Sequence, residues 1–238
     1  FCAAFASCCS KSSVTLFPVS DFETTVDGKE VSLYTLKSGD LTMQVTNFGA
    51  RVVSLWVPDK DGHHEDVVLG YNKLENYVNN PGERFLGAVV GPYANRIAGG
   101  TYTIGEETYN FPQNNNGQTL HGGTLGVDCI VWDVKEATES KIVFTCELPD
   151  GQDGFPANRA IEMTYELTPN NEFAVSYNAT TDAKTVLNLS HHSFFNLKGE
   201  AGGTITDHIL QIDADYITPT DEYLIPTGEI LAVDGTPF

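Results

Sequence analysis

Basic residues are scarce in this sequence. Its 238 residues include 13 Lys and Arg against 32 Asp and Glu, which gives a formal net charge of −19. A nucleic-acid partner requires a stripe of cations that displaces the counterions of the phosphate backbone, and the sequence has no such stripe. We therefore expect no nucleic-acid partner, and the charge favours a neutral ligand over an anionic one.

Cysteine is scarce in the body of the chain. Three of the five cysteines lie in the first nine residues, and the two others are too few for a disulfide framework. The opening "FCAAFASCCSKSS" resembles the end of a secretion signal, and "FASC" is similar to a bacterial lipoprotein cleavage box whose Cys8 carries the lipid. We expect residues 1–19 to be such a leader, with a disordered terminus or a cloning remnant as the alternative. The expected location is extracytoplasmic, either periplasmic or lipid-anchored, with the cytoplasm as the alternative.

Long hydrophobic runs are absent. No stretch reaches the roughly 18 apolar residues that a membrane-spanning helix needs, so we expect a protein that is soluble or tethered. Apolar residues nevertheless make up 41% of the chain, together with 22 Gly and 11 Pro, as is typical of a globular, turn-rich protein. The length suits one domain, which we place at residues 20–238.

Helical periodicity is nearly absent, and a period of two dominates the hydrophobic pattern. Leu41, Met43 and Val45 alternate with polar residues, as expected of a half-buried strand. Two alternating runs, 161–167 and 173–177, flank the turn "TPNN" and predict a β-hairpin. One helix-like piece occurs, in "NKLENYVNN". These features predict an all-β fold, an antiparallel sandwich or barrel.

Two adjacent histidines stand in "NLSHHSFFNL", residues 188–197. Neighbouring side chains on a strand point to opposite faces, so His191 and His192 cannot bind one metal ion together, and we expect no metal site. His192 shares its face with Asn188 and Ser190, which predicts a polar environment, whereas His191 lies on the leucine face and is expected to be packed. A strand histidine taken alone is more often structural than catalytic.

Two other segments carry polar residues beside glycines. In "NNNGQTLHGGTLG", His121 precedes two glycines, which permit a positive φ and the close approach of a ligand. In "GPYANRIAGG", Asn95 and Arg96 place a planar donor fork beside an amide, a combination that suits a polyhydroxylated ligand. The alternatives are an ordinary glycine turn and a salt bridge.

The order and spacing of these three motifs resemble the aldose 1-epimerase (galactose mutarotase) family. The matching segments are "ANRIAGG", "TLHGG" and "HHSFFNL", and the resemblance extends from about residue 20 to the end. It implies a large antiparallel β-sandwich of the galactose mutarotase type. It also implies an isomerase that interconverts the α and β anomers of free galactose or glucose by acid–base ring opening, without a cofactor. We expect a monomer that binds a small aldose.

The resemblance also implies which residues form the sugar site. Asn95, Arg96, His121 and His192 match site residues of the family, and three residues follow His192 along the same wall of the expected site: Ser193, Phe194 and Phe195. Two are catalytic candidates, His192 as the proton donor to the ring oxygen and His121. An imidazole titrates near neutrality, which suits a reversible proton transfer.

The sequence departs from the family pattern in three respects. Many members have Tyr where Phe194 stands and Asn where His191 stands, so substrate preference is expected to differ. The family's general base, a glutamate, matches a position beyond Phe238. We therefore expect a sandwich that is incomplete at its C-terminus and lacks its base, and we assign no glutamate of this chain to that role.

Two other functions compete with this prediction. A hexose-6-phosphate 1-epimerase would need a basic phosphate pocket, and Arg96 is the one basic residue within the three motifs. A non-catalytic carbohydrate-binding sandwich would keep aromatic and amide side chains, but it would have no need of His121 and His192 at these positions.

Overall fold

The computed structural model describes residues 14–80 and 82–236. In these residues strands dominate, with one α-helix, α1 (Leu74–Asn79). The strands are β1 (Thr24–Val26), β2 (Lys29–Val31), β3 (Leu33–Ser38), β4 (Leu41–Thr46), β5 (Arg51–Pro58), β6 (His64–Asp66), β7 (Val89–Val90), β8 (Arg96–Ile97), β9 (Thr101–Ile104), β10 (Glu107–Asn110), β11 (Thr119–Leu120), β12 (Asp133–Ala137), β13 (Lys141–Leu148), β14 (Arg159–Leu167), β15 (Phe173–Thr181), β16 (Ser190–His191), β17 (Tyr216–Ile217) and β18 (Leu231–Ala232). Short 3₁₀ turns lie at Val19–Asp21, Ala98–Gly100, Val127–Cys129 and Gln152–Gly154.

Two four-stranded antiparallel sheets form the body of the fold. Their strand orders are β3-β4-β5-β6 and β12-β13-β14-β15. Both sheets contribute to one apolar core, with Met43 and Val45 from the first and Phe144 and Met163 from the second, all fully buried. The predicted all-β sandwich is therefore confirmed. Burial of a side chain of this size stabilises the fold by roughly 1.5–3 kcal/mol.

The local predictions from periodicity are also confirmed. Strands β14 and β15 form an antiparallel hairpin that closes at the pair Leu167 and Phe173. The helix-like piece is α1, which ends at Asn79 because Asn80 adopts a left-handed conformation.

Strand β4 differs from its prediction as a half-buried strand. All six of its residues are buried, including Thr42, Gln44 and Thr46 on the polar face. The segment before β1 covers that face. The side-chain oxygen of Gln44 accepts the N–H of Phe17 at 2.9 Å, and its amide nitrogen donates to the carbonyl of Phe17 at 3.1 Å. The amide therefore serves as a hydrogen-bond partner for the main chain, which is why a polar residue can be buried here.

The predicted histidine strand is shorter than its alternating pattern. Only β16 is regular, paired with β7, while Asn188 forms an isolated parallel bridge with Tyr93. Backbone hydrogen bonds hold the chain on either side, among them those from His192 N–H to Ala88 and from Asn188 N–H to Pro92. These bonds lay residues 188–192 along residues 88–94.

Most of the predicted leader, residues 1–13, lies outside the residues that the structure describes. Cys8 and the rest of "FCAAFASCCSKSS" lie outside the described residues, and the leader stays a prediction. Among the residues that are described, no helix combines the length and apolar character needed to cross a membrane.

Candidate functional site

Two short ladders bring the sequence motifs together. Strand β11 pairs with β8, with Leu120 opposite Arg96, so that His121 emerges beside Asn95. Strand β16 pairs with β7, and His192 follows it directly. As a result the rings of His121 and His192 meet at 5.0 Å between centroids, nearly perpendicular to each other. Histidines that are 71 positions apart in the chain therefore share one half-buried cluster.

The orientation of His121 is set by the main chain of Asn95. The Asn95 N–H donates to Nδ1 of His121 at 3.0 Å, and the Asn95 carbonyl accepts the His121 N–H at 3.0 Å. Because Nδ1 accepts, the neutral ring carries its proton on Nε2. Both residues have a positive φ, 65° for Asn95 and 52° for His121. Such backbone conformations are uncommon outside glycine and often accompany functional sites.

The glycine after His121 is required by the neighbouring backbone. Gly122 has a φ of 89°, and a Cβ there would lie 1.9 Å from the carbonyl oxygen of Gly91. The glycine therefore allows two chain segments to approach each other, whereas the sequence suggested the approach of a ligand.

Burial keeps His121 uncharged. Desolvation lowers its pKa from 6.5 to about 4, with a second contribution from the nearby His192. A charged imidazole loses hydration when buried, so the neutral form is favoured. At neutral pH His121 is therefore a hydrogen-bond donor through Nε2 and carries no charge.

Arg96 is held by amides. Its Nη1 donates to the side-chain oxygen of Asn95 at 3.1 Å, and its Nη2 donates to that of Asn115 at 3.2 Å. Neither partner is a carboxylate, so these bonds do not neutralise the positive charge of the guanidinium. The salt bridge that the sequence left open is not among the ion pairs of the described residues.

His192 is surrounded by aromatic rings. Phe194 lies 5.1 Å from its centroid and Phe85 lies 5.6 Å from it. The ring contacts described for His192 are with Phe85, His121 and Phe194, whereas the sequence predicted a polar environment on the side of Asn188 and Ser190. Phe194 remains 39% exposed and presents an apolar face at the surface of the cluster.

His191 points away from His192, as strand alternation predicts. Its Nδ1 lies 2.9 Å from the Tyr165 hydroxyl, which also donates to the carbonyl of Ala50 at 2.8 Å. Since that hydroxyl has one proton, Nδ1 is the donor and Nε2 accepts from the Ser193 hydroxyl at 2.6 Å. His191 is thus a neutral, partly buried residue with both ring nitrogens hydrogen-bonded, and burial lowers its pKa to about 4.

The structure thus assembles five of the seven expected site residues. Ser193 bonds to His191 on the other side of the strand. Phe195 is 45% exposed and pairs through its backbone with Val68. Neither has a described contact with His121 or His192.

Acid is expected to destabilise the fold through its neutral histidines. The unfolded imidazole has a pKa near 6.5 and the folded His191 one of about 4, so the unfolded state binds more protons between these values. The contribution of neutral His191 to the free energy of unfolding, roughly 3 kcal/mol, is fully present above pH 6.5. It decreases as the pH falls from 6.5 toward 4. Urea unfolding at a series of pH values measures the slope.

The matched comparison is His191→Asn. This variant loses hydrogen bonds at every pH, but its stability should fall less steeply between pH 6.5 and pH 4 because the titrating group is gone. All other groups are the same in the two proteins, so parallel slopes would contradict the assignment.

Three residues beneath the cluster, Arg84, Phe85 and Asp128, belong to none of the sequence motifs. Phe85 touches both histidine rings, at 4.6 Å from His121 and 5.6 Å from His192. Arg84 donates to both oxygens of Asp128, from Nε at 2.7 Å and from Nη2 at 3.0 Å. Asp128 is completely buried. The one signal in the sequence is that Arg84 is a basic residue in an acidic chain, which favours an ion pair but does not say with which carboxylate.

Three side chains that are close enough together to hold a metal ion lie elsewhere in the described residues. Asp59, Asp61 and His63 lie close together in the turn between β5 and β6. None of the three belongs to the histidine cluster.

Comparison with known proteins places this chain in a family. Residues 32–238 match the family model for aldose 1-epimerase. The galactose mutarotase of Bos taurus is 39% identical over 208 residues, which are 87% of this chain and 60% of that protein. The aldose 1-epimerase of Escherichia coli K12 is 35% identical over 213 residues, 89% of this chain and 61% of that protein. The chain thus spans about 60% of the length of these curated relatives.

Solved structures agree with the sequence comparison. An aldose epimerase homologue from C. elegans superposes with a TM-score of 0.82 at 30% identity, covering 87% of this chain and 63% of that one. The galactose 1-epimerase of Lactobacillus acidophilus gives a TM-score of 0.78 at 30% identity, covering 90% of this chain and 62% of that one.

Proposed function

Because this chain belongs to the aldose 1-epimerase family, we propose that the protein interconverts the α and β anomers of a free aldohexose such as galactose or glucose. The observation that carries the proposal is the contact of the His121 and His192 rings at 5.0 Å, beside Asn95 and Arg96. Two imidazoles that meet at a partly exposed surface suit a reaction of reversible proton transfers.

The two histidines have different roles. Ring opening requires that the ring oxygen gain a proton while the C1 hydroxyl loses one, and closure on the other face reverses both steps. We assign His192 as the donor to the ring oxygen. His121, neutral and protonated on Nε2, holds a sugar oxygen by donating a hydrogen bond.

Arg96 and Asn95 suit a neutral, hydroxyl-rich ligand. The guanidinium is oriented by two amide oxygens, and its remaining N–H groups can donate to hydroxyls. Arg84, the other arginine near the cluster, is neutralised by Asp128 and donates to backbone carbonyls as well. Among the arginines described at this cluster, Arg96 is the one without a carboxylate partner, and a single such cation in a chain of net charge −19 favours a free sugar over a sugar phosphate.

We do not assign the base that removes the C1 proton to Asp128. This carboxylate interacts electrostatically with His121, but it is completely buried and both oxygens accept N–H groups of Arg84. A general base must reach the proton that it removes, within about 3 Å or through one water. The proposed reaction moves protons without changing any oxidation state, and we propose that it needs no cofactor.

The test is polarimetry on the complete protein. Fresh α-galactose should lose optical rotation faster than the buffer alone allows, in proportion to the enzyme concentration, and glucose should behave alike. Galactose 6-phosphate serves as the competing substrate and should react much more slowly.

Two outcomes would overturn the proposal. Binding of galactose, seen as shifts of the histidine NMR signals, with no acceleration of mutarotation would indicate a carbohydrate-binding sandwich. Faster reaction of the phosphorylated sugar would indicate a hexose-6-phosphate epimerase.

A further inference from the structure

Phe85 lies against both imidazoles of the cluster. Its ring centroid is 4.6 Å from that of His121, at an interplanar angle of 66°, and 5.6 Å from that of His192, at 40°. The residue is half-buried and belongs to none of the three sequence motifs. A single aromatic ring therefore contacts both catalytic candidates.

The main chain of Phe85 is held on both sides by a buried arginine. Arg51 is 1% exposed, and its Nη1 donates to the carbonyls of Arg84 and Leu86, at 2.9 Å each. The Phe85 N–H donates to a side-chain oxygen of Glu83 at 3.0 Å. Hydrogen bonds thus fix the backbone before, at and after Phe85.

The ring is held from a second direction by an ion pair. The guanidinium of Arg84 lies 5.0 Å from the centroid of the Phe85 ring, and it donates hydrogen bonds to both carboxylate oxygens of Asp128. A cation over an aromatic ring is attracted to it, more strongly where water is excluded. Arg84 also donates to the carbonyls of Gly123 and Thr124, which belong to the loop that follows His121.

We propose that Phe85 is a positioning residue of this site, one that holds the rings of His121 and His192 in their perpendicular arrangement. The inference rests on the proposed function for its catalytic consequence and on the ring contacts for its structural one. A backbone fixed at three points and a ring braced by Arg84 leave Phe85 little freedom, and its faces and edge limit the rotation of both imidazoles.

Removing the ring would affect the histidines in two ways. The imidazoles would gain rotational freedom, and small errors of orientation in a catalytic group can cost about 100-fold in rate. Water would also reach His121, whose lowered pKa comes first from burial. The groups that face His121 electrostatically are His192, Asp128, Arg96 and Arg84, and a Phe85 variant replaces none of the four.

The experiment compares Phe85→Ala, Phe85→Leu and Phe85→Tyr in the complete protein. We expect kcat for mutarotation to fall by about 10–100-fold in Phe85→Ala and Phe85→Leu, with a smaller change in KM, and to recover in Phe85→Tyr, which restores the ring. In an NMR titration, the His121 midpoint should rise from about 4 toward 6.5 in Phe85→Ala.

The matched control is Phe17→Leu. Phe17 is also a half-buried phenylalanine, but it packs against Phe22 in a separate cluster. Its truncation should change neither kcat nor the His121 midpoint.

The outcomes separate this inference from the proposed function. A folded Phe85→Leu protein with wild-type kcat, or an unchanged His121 midpoint in folded Phe85→Ala, would overturn the positioning role. If Phe85→Ala fails to fold, Phe85→Leu decides by its kcat. A wild-type protein without mutarotase activity would refute the proposed function, and the NMR titration would then decide the role of Phe85 alone.

Discussion

Replacing His192 by Asn is expected to lower kcat for galactose mutarotation by about 10²–10⁴-fold, the usual contribution of a positioned proton donor. Asparagine retains an amide that can bind a hydroxyl, but it cannot transfer a proton reversibly near neutral pH. KM should therefore change much less than kcat. Polarimetry on the complete protein measures both constants.

His191→Asn is the control for this prediction. The neighbouring imidazole points to the other side of the strand and bonds to Tyr165 and Ser193. Its loss should lower the melting temperature and leave kcat nearly unchanged. Equal losses of kcat at the two positions would mean that the two histidines share one site, which contradicts the observed geometry.

Replacing Asp128 by Ala is expected to lower the free energy of unfolding by about 3–5 kcal/mol, as is usual when one partner of a buried ion pair is removed. Asp128 is completely buried, and Arg84 donates to both of its oxygens. Without the carboxylate, the partly buried guanidinium of Arg84 loses its counter-charge while remaining near that of Arg51, which is almost completely buried. Urea unfolding, with comparison of midpoints and slopes, measures the change.

Asp133→Ala provides the matched control for Asp128→Ala. Asp133 forms an ion pair of similar length with Lys29, 2.8 Å, but both side chains are largely exposed. Exposed pairs contribute about 0–1 kcal/mol, because water solvates the separated charges almost as well. An Asp128→Ala protein as stable as Asp133→Ala would show that the buried pair does not stabilise the fold.

Local patterns in the sequence predicted much of the fold. A period of two predicted the strands, and the polar turn "TPNN" predicted the β14–β15 hairpin, because both depend on residues close together in the chain. The hydrophobic pattern gave a wrong prediction where a segment remote in the sequence determines burial. It made β4 half-buried, whereas a segment about 27 residues earlier covers its polar face through Gln44.

The site was predictable to the extent that its residues lie in motifs. The resemblance selected Asn95, Arg96, His121, His192 and Phe194, all of which meet in the structure. Ser193 and Phe195 follow His192 in the chain but make their described contacts elsewhere. Adjacency in sequence does not place side chains on one face of a strand.

The sequence by itself determined the strand content, the opposite directions of His191 and His192, and the family to which the motifs belong, because each is a property of short segments or of their order. The tertiary structure decided what surrounds those segments. It placed Phe85 against both imidazoles, braced it with Arg51 and the Arg84–Asp128 pair, and buried His121 deeply enough to lower its pKa to about 4. Burial and electrostatics depend on which distant segments pack together, and a one-dimensional pattern does not contain that information.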